Sequence, residues 1–424
     1  MQNYFTMNLR QTIIFLLFYI ITLNSFSQNK RIVYINPSVD TLNPHFHQVF
    51  AFWENYMDKL NIANIRSRGL LTKFDDELIT YWNKSETDSF AFPDLYYSFM
   101  STIGNAWYTN DIEYFLGIAQ RDSNRYEIKT LFTTRQDSFF KGFPSLMITV
   151  PIIKTEGSYK LLNFLSLENH VTKRKLRNIT YYFSDKHSFD DSLAIILDKR
   201  IDNFKQGFNI SSNLQINYFV ANNITEISKW FGIDYYFTDY ISISNLIKGG
   251  YTTNNNLILS GGGGENCLHE VIHLLLAQFN HGQYMYFEEG VACFFGEHVG
   301  KEYYTHIRQF KKYLAHNMWI NLSKSLYGYY ESELGNTEYS SENNNDKRKL
   351  MRYRDIDAIY NVQYMVHAVI CDMAYKKGGF NCVKELLLSK AENESDFYLN
   401  IEKVLSIKRS NLNEAIRSFI NTNY

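Results

Sequence analysis

Two histidines stand four residues apart with a glutamate after the first, in His269-Glu270-Val271-Ile272-His273. On a helix, side chains four apart lie on one face, so both imidazoles point the same way and can hold one zinc ion. Glu270 sits beside the first of them and can reach a water on that ion. The chemistry implied is hydrolytic. The ion lowers the pKa of the water, and the Glu270 carboxylate takes the proton as general base. The neighbours Leu268, Val271, Ile272, Leu274, Leu275 and Leu276 are all apolar. A helix dressed in this way is buried, which dries the site and strengthens its electrostatics. Buried imidazoles and a buried carboxylate need partners, and a metal is one.

A catalytic zinc site uses three protein ligands and leaves one position open. A glycine and a third histidine shortly downstream would be one way to complete it, but Leu276 and Phe279 occupy those places. The next candidates are Glu288 and Glu289 in Tyr286-Phe287-Glu288-Glu289-Gly290-Val291-Ala292, with His281 and His298 as rivals. Gly290 and Ala292 are small, which lets two helices approach closely.

These residues need elements to position them. The spacing predicts a helix over Cys267 to Gln278, a turn around His281-Gly282, and a second helix over Glu288 to Gly296 returning past the first. A short strand, Asn256 to Ser260, precedes the metal helix, and Gly261 to Gly264 break it. Further upstream come a strand at Ile179 to Phe183, a helix at Asp190 to Phe208 and a strand at Leu214 to Ala221. The apolar stripe predicted for that helix is Leu193, Ile196, Leu197, Ile201 and Phe204. The N-terminal part begins with a long helix, with Phe50, Phe52, Tyr56, Met57 and Leu60 at helical spacing. It ends in strands at Tyr126 to Thr133, Ser145 to Lys154 and Lys160 to Leu167, the last two joined by a hairpin turn at Glu156-Gly157. From Lys301 onward the pattern is mostly helical, apart from the polar stretch Glu331 to Lys349, read as a mobile loop. The resulting expectation is an α+β protein. Residues 28–176 form an α+β accessory domain, 177–300 carry the metal, and 301–424 are a helical subdomain completing the cleft.

The bulk numbers narrow the function classes. A formal net charge of −1 leaves no basic field for nucleic acid. Hydrophobic residues at 45% against charged residues at 21% exclude disorder as the overall state. The 33 Tyr and 32 Phe read as large cores with amphipathic surfaces. Arg10, the apolar run Thr12 to Leu23, and Ser25-Phe26-Ser27 form a secretory signal pattern. Twelve helical residues reach about 18 Å, short of a hydrocarbon core of about 30 Å. Residues 1–27 are therefore expected to be a cleaved signal peptide. The mature protein would be periplasmic or secreted, with no stable membrane span. Export permits disulfides, but the spacing of Cys267, Cys293, Cys371 and Cys382 is not that of a cysteine-rich zinc site, and they read as structural or free thiols.

His269 to His273 followed by Phe287-Glu288-Glu289-Gly290-Val291-Ala292 resembles the gluzincin metallopeptidases, and more narrowly the bacterial peptidase MA-like proteins of the thermolysin and aminopeptidase superfamily. The resemblance is specific over about Asn256 to Gly296 and looser to about Leu387. It implies a zincin-like catalytic domain of a small mixed sheet with active-site helices. It also implies peptide-bond hydrolysis on a peptide or protein substrate, Zn2+ as cofactor, and Glu289 as third ligand beside His269 and His273. It implies further that Asn256 to Ser260 lies along the substrate cleft, with the substrate backbone pairing with its edge. The oxyanion donor in gluzincin aminopeptidases is a tyrosine in a Tyr-x-x-Gly-Ala pattern. Tyr364-Met365-Val366-His367-Ala368 is similar, which implies Tyr364, with His367 and Tyr360 as alternatives. Two features depart from the pattern. Cys293 stands where thermolysin-type enzymes have an aspartate that steers a histidine. Gly262-Gly263-Gly264-Glu265-Asn266, similar to an aminopeptidase signature, lies too close to His269 to serve as one. The competing reading is a non-catalytic exported binding protein that retains the fold.

Overall fold

The computed structural model describes residues 31–42, 45–66, 78, 80–83, 112–133, 142, 144–162, 171–211, 213–230, 232–236, 250–253, 257–279, 286–298, 301–316, 318, 320–327, 362–391 and 393–424. The signal pattern, the polar stretch Glu331 to Lys349, His281 and Tyr360 lie outside them. The protein is mixed α+β and divides into two units.

The first unit holds β1 (Ile32–Ile35), α1 (Phe46–Arg66), β2 (Ile112–Gln120), β3 (Arg125–Thr133), β4 (Pro144–Thr155), β5 (Ser158–Leu161) and a strand from much later in the chain, β9 (Ile233–Tyr236). Its sheet runs β1-β2-β3-β4-β5, with β1 parallel to β2 and the other pairs antiparallel. On β3, Tyr126, Ile128, Thr130 and Phe132 face inward, the period-two pattern of a strand with one covered face. Glu156-Gly157 forms the expected two-residue hairpin between Thr155 and Ser158, and Gly157 takes φ +82°, which a glycine adopts freely. β4 is long enough for two partners on one side, β5 at its end and β9 at its start. Helix α1 buries Phe46, Val49, Trp53, Tyr56, Met57 and Leu60. Phe50 and Phe52, expected on that stripe, are only half-buried.

A charged cluster pins β1, α1 and β2 together. The Arg31 guanidinium donates to Glu54 and Glu113 at 2.7 Å each and to Asp58 at 3.1 Å, while the Trp53 indole donates to the other oxygen of Glu113 at 2.8 Å. Burial pushes the Glu113 carboxyl up from 4.5 to about 7, against the opposing pull of Arg31. The folded chain thus keeps this proton to about pH 7, while the unfolded chain releases it near 4.5. Stability from this group should fall by about 3 kcal/mol as pH rises across that window and level off above it. Glu113→Gln should remove most of that slope in urea unfolding followed between pH 4.5 and 8.

The second unit is built on β6 (Val171–Lys175), β7 (Ile179–Ser184), α2 (Asp191–Gly207), β8 (Ile216–Ala221), α3 (Ile224–Trp230), β10 (Gly250–Thr253) and β11 (Leu257–Gly261). The sheet order is β10-β11-β8-β7-β6. β7, β8 and β11 are parallel, and both outer strands run antiparallel to them. β7-α2-β8 is a parallel crossover, which requires an intervening helix. Asp190 caps α2 by accepting from the Ser192 and Leu193 amides. The face of α2 that packs is Ala194, Leu197, Ile201 and Phe204. Leu193 and Ile196, expected to be buried, are 37% and 45% exposed, because each sits one residue, about 100° of helix, away from that face.

The same unit continues through α4 (Leu268–Leu276), α5 (Glu288–Phe295), the two-residue strands β12 (Glu297–His298) and β13 (Lys301–Glu302), α6 (Tyr303–His316), α7 (Val362–Leu387), α8 (Glu394–Leu405) and α9 (Arg409–Asn423). α7 is broken at Gly378-Gly379, where Gly379 takes φ +64°. One continuous core runs from α2 through α4 to α9. The divisions expected near 176 and 300 are therefore not where the chain divides. β6 already belongs to the second sheet, β9 returns to the first, and the C-terminal helices share the core of α4. No helix among the described residues is long and apolar enough to cross a membrane.

Candidate metal centre

The metal helix is held at its start by hydrogen bonds. After β11 the glycines turn tightly, with φ +79° at Gly262 and +70° at Gly264. The Tyr218 hydroxyl and Ser260 Oγ both donate to the Gly264 carbonyl, at 2.8 and 3.0 Å, and the Tyr181 hydroxyl donates to that of Glu265 at 2.8 Å. The Glu265 side chain is itself buried. It accepts from His187 at 2.7 Å and from the Asp190 amide at 3.1 Å, which raises the His187 pKa. From there α4 enters the core with Leu268, Val271, Ile272, Leu274, Leu275 and Leu276 buried, as their apolar character dictates.

α4 and α5 lie side by side in opposite directions. Glu288, at the start of α5, meets His273, and Cys293, further along, meets His269. Two glycines let α5 lie close to its neighbours. A Cβ on Gly296 would lie 2.7 Å from the His269 amide nitrogen and 2.8 Å from its Cα, besides meeting the Ala292 carbonyl. A Cβ on Gly290 would lie 2.7 Å from the His367 backbone on α7. Gly296→Ala should therefore cost on the order of 1–3 kcal/mol in urea unfolding, as overpacked cores do. It should also weaken zinc uptake, because the backbone it displaces belongs to His269.

Three ligand atoms converge. His269 Nε2 and His273 Nε2 are 3.3 Å apart, and Glu289 Oε2 lies 3.5 and 3.6 Å from them. Tetrahedral zinc with nitrogen and oxygen ligands at its usual bond lengths needs ligand atoms about 3.3–3.5 Å apart. Glu289 Oε2 is buried with no hydrogen bond of ordinary length, and among the described residues the groups it faces are the two imidazoles. The donor set therefore fits zinc. Burial by itself would raise the Glu289 pKa, but the two histidines outweigh it and hold the carboxylate well below its ordinary range. His273 shows the complementary balance. Burial opposes its charge, while Glu288 and Glu289 more than compensate and raise its pKa.

The other residues named from the sequence fall as follows. Glu270 is half-buried on α4 between the two histidines in sequence. Glu288 donates nothing to the ligand triangle, but its Oε1 lies 2.9 Å from His273 Nδ1, a role the sequence reading did not give it. The readable signal was the adjacent pair of glutamates, whose side chains diverge by about 100° and so can address different atoms of one partner. Tyr364 is half-buried in the first turn of α7, against the core that holds the metal helix. His367 is not available as an oxyanion donor. It is 4% exposed, its Nε2 donates to the Leu326 carbonyl at 2.8 Å, and burial pushes its pKa down to about 4. The backbone of His298 is described but its side chain is not. Cys267, Cys293, Cys371 and Cys382 are all free thiols. The strand before the metal helix offers no open edge, since β11 is flanked by β10 on one side and β8 on the other. Among the described residues the outer strand is β10. The chain matches no family model and no curated protein sequence.

Proposed function

We propose that the chain is an exported zinc metallopeptidase of the gluzincin kind, with His269, His273 and Glu289 as ligands and a zincin-like second unit. The observation that supports it most directly is the triangle of two imidazole nitrogens and an unpartnered buried carboxylate oxygen, at 3.3, 3.5 and 3.6 Å. Zinc bound there would act as a Lewis acid on a peptide carbonyl and on water. Glu270 takes the proton from the attacking water and hands it to the leaving amine. Tyr364 donates its hydroxyl hydrogen to the developing oxyanion. The apolar packing around α4 keeps bulk water from the back of the site.

The two edges of the sheet suggest where a peptide lies. β6 exposes Thr172, Lys173, Arg174 and Lys175, a charged edge that discourages strand pairing. β10 is Gly-Tyr-Thr-Thr, uncharged, and stands one strand from the segment leading into the metal helix. An extended substrate pairing with β10, an outer strand among the described residues, would run past that helix. The first unit is an accessory domain in this reading.

The test is zinc content of the purified protein together with hydrolysis of a peptide library. One zinc per chain and chelator-sensitive cleavage are expected. Zinc without cleavage of any peptide would favour the binding-protein reading, and neither would end the proposal.

A further inference from the structure

The first unit holds an open cavity of about 290 Å³ between β2 and the segment that follows β1. All its described lining residues belong to that unit. Leu116, Gly117 and Ile118 line it together. Successive residues of a regular strand face opposite sides of the sheet, so three in a row on one cavity need an irregularity. β2 supplies it, since its register against β3 shifts between Phe115 and Gly117. A bulge re-aims side chains in this way. Gly117 adds room, because a Cβ there would meet nothing within 4 Å. Phe46 and Tyr126, both buried, close the cavity at the back.

The facing wall is fixed by short-range hydrogen bonds. The Asn36 amide donates to the Phe115 carbonyl at 2.9 Å, tying the segment to β2 beside the bulge. Asn36 Oδ1 accepts from the Ser38 amide and hydroxyl at 2.9 and 2.8 Å, and Asp40 Oδ1 accepts from the Leu42 amide at 3.0 Å. These bonds decide what the rim can still offer. Ser38 has given its hydroxyl hydrogen to Asn36, and Gln120 turns its amide nitrogen to the Asp122 carbonyl at 3.0 Å. What remains on each is chiefly an oxygen acceptor. Asp40 adds a carboxylate, and no lysine or arginine is among the described residues lining the cavity.

Three oxygen acceptors, one of them charged, thus stand beside the apolar side chains of Val39, Leu116 and Ile118. A phosphate or carboxylate would meet Asp40 with no cation to offset the repulsion. A calcium-type cation wants six or more oxygens and more than one carboxylate. A primary ammonium has three N–H donors and no acceptor, and its alkyl stem packs along apolar surface. We propose that this cavity binds a primary ammonium on an aliphatic stem, as a lysine side chain or the amino end of a peptide presents it, with Asp40 as the counter-charge.

Saturation-transfer NMR and calorimetry on the full chain test this with n-pentylammonium chloride as probe and 1-pentanol as its uncharged counterpart. The ammonium should bind with a dissociation constant on the order of 1–10 mM, in keeping with so few heavy atoms. Pentanol should bind about three- to tenfold more weakly, and Asp40→Asn should weaken the ammonium by a similar factor, the weight of a charged contact open to solvent. Gly117→Leu should abolish binding, because its side chain grows into open space and displaces no neighbour. Nα-acetyl-lysine amide and leucine amide separate the two sources. Stronger binding of the first supports a lysine side chain, and of the second an amino end. Equal affinity for pentanol, or unchanged ammonium binding in Asp40→Asn or Gly117→Leu, overturns the proposal. Binding of N-acetylglucosamine without binding of the ammonium overturns it as well. Should Gly117→Leu not fold, Asp40→Asn, on an exposed residue, carries the test. Neither zinc content nor peptide cleavage enters the readout, so this proposal and the metallopeptidase reading stand or fall separately.

Discussion

Glu270→Gln should load zinc like the wild type and yet cleave peptide on the order of 10²–10⁴-fold more slowly, the usual contribution of a positioned base. The substitution is close to isosteric and keeps a hydrogen-bonding side chain at the same place on α4. It removes only the ability to take a proton. Because Glu270 is no member of the ligand triangle, the triangle at 3.3, 3.5 and 3.6 Å does not lose an atom. Loss of turnover should therefore appear with unchanged metal stoichiometry and an unchanged unfolding midpoint. A variant that retains wild-type turnover on any cleaved peptide removes Glu270 from the role of base.

His269→Ala and Glu289→Ala should lose zinc and activity together, by more than the roughly 100-fold expected for an outer partner, since each deletes a direct ligand. The two variants should differ in the metal-free protein. Glu289→Ala leaves two imidazoles 3.3 Å apart, with only His273 still facing a carboxylate, Glu288, so a rise in metal-free stability below neutral pH is not expected. His269→Ala opens a cavity against α5 and should lower metal-free stability more. Calorimetry of the stripped proteins separates these effects from metal affinity. Stoichiometric zinc in the His269→Ala/His273→Ala double variant would show that the metal lies elsewhere. If Glu289→Ala keeps the metal and Glu288→Ala strips it, the third ligand is one residue earlier than proposed.

Part of this was legible in the sequence for a simple reason: the information was local. His269 and His273 share a face because a helix repeats every 3.6 residues, and the apolar flanks of that helix mark it as buried. The Glu156-Gly157 hairpin and the helix that starts at Asp190 are equally local, and both are found where the sequence places them. The phase of α2 was harder to read. Its Leu193, Ile195 and Ile196 are as apolar as the residues that pack, and periodicity alone does not choose between faces about 100° apart.

What the sequence by itself determined is the pair of imidazoles, the carboxylate beside them and the elements that carry them. Tertiary structure decided everything that depends on which segments meet. Sheet pairing is non-local, so nothing around Ile233 announces that β9 joins β4 in the other unit, or that β10 rather than β11 is the outer strand. The choice between Glu288 and Glu289 follows from the antiparallel packing of α4 on α5. That packing needs the glycine at 296, whose missing Cβ leaves room for the His269 backbone, while the glycine at 290 leaves room for His367 on α7. A helix presents every direction to its surroundings, and only the neighbour it packs against determines which of two adjacent carboxylates faces both imidazole Nε2 atoms and which one meets the far side of His273.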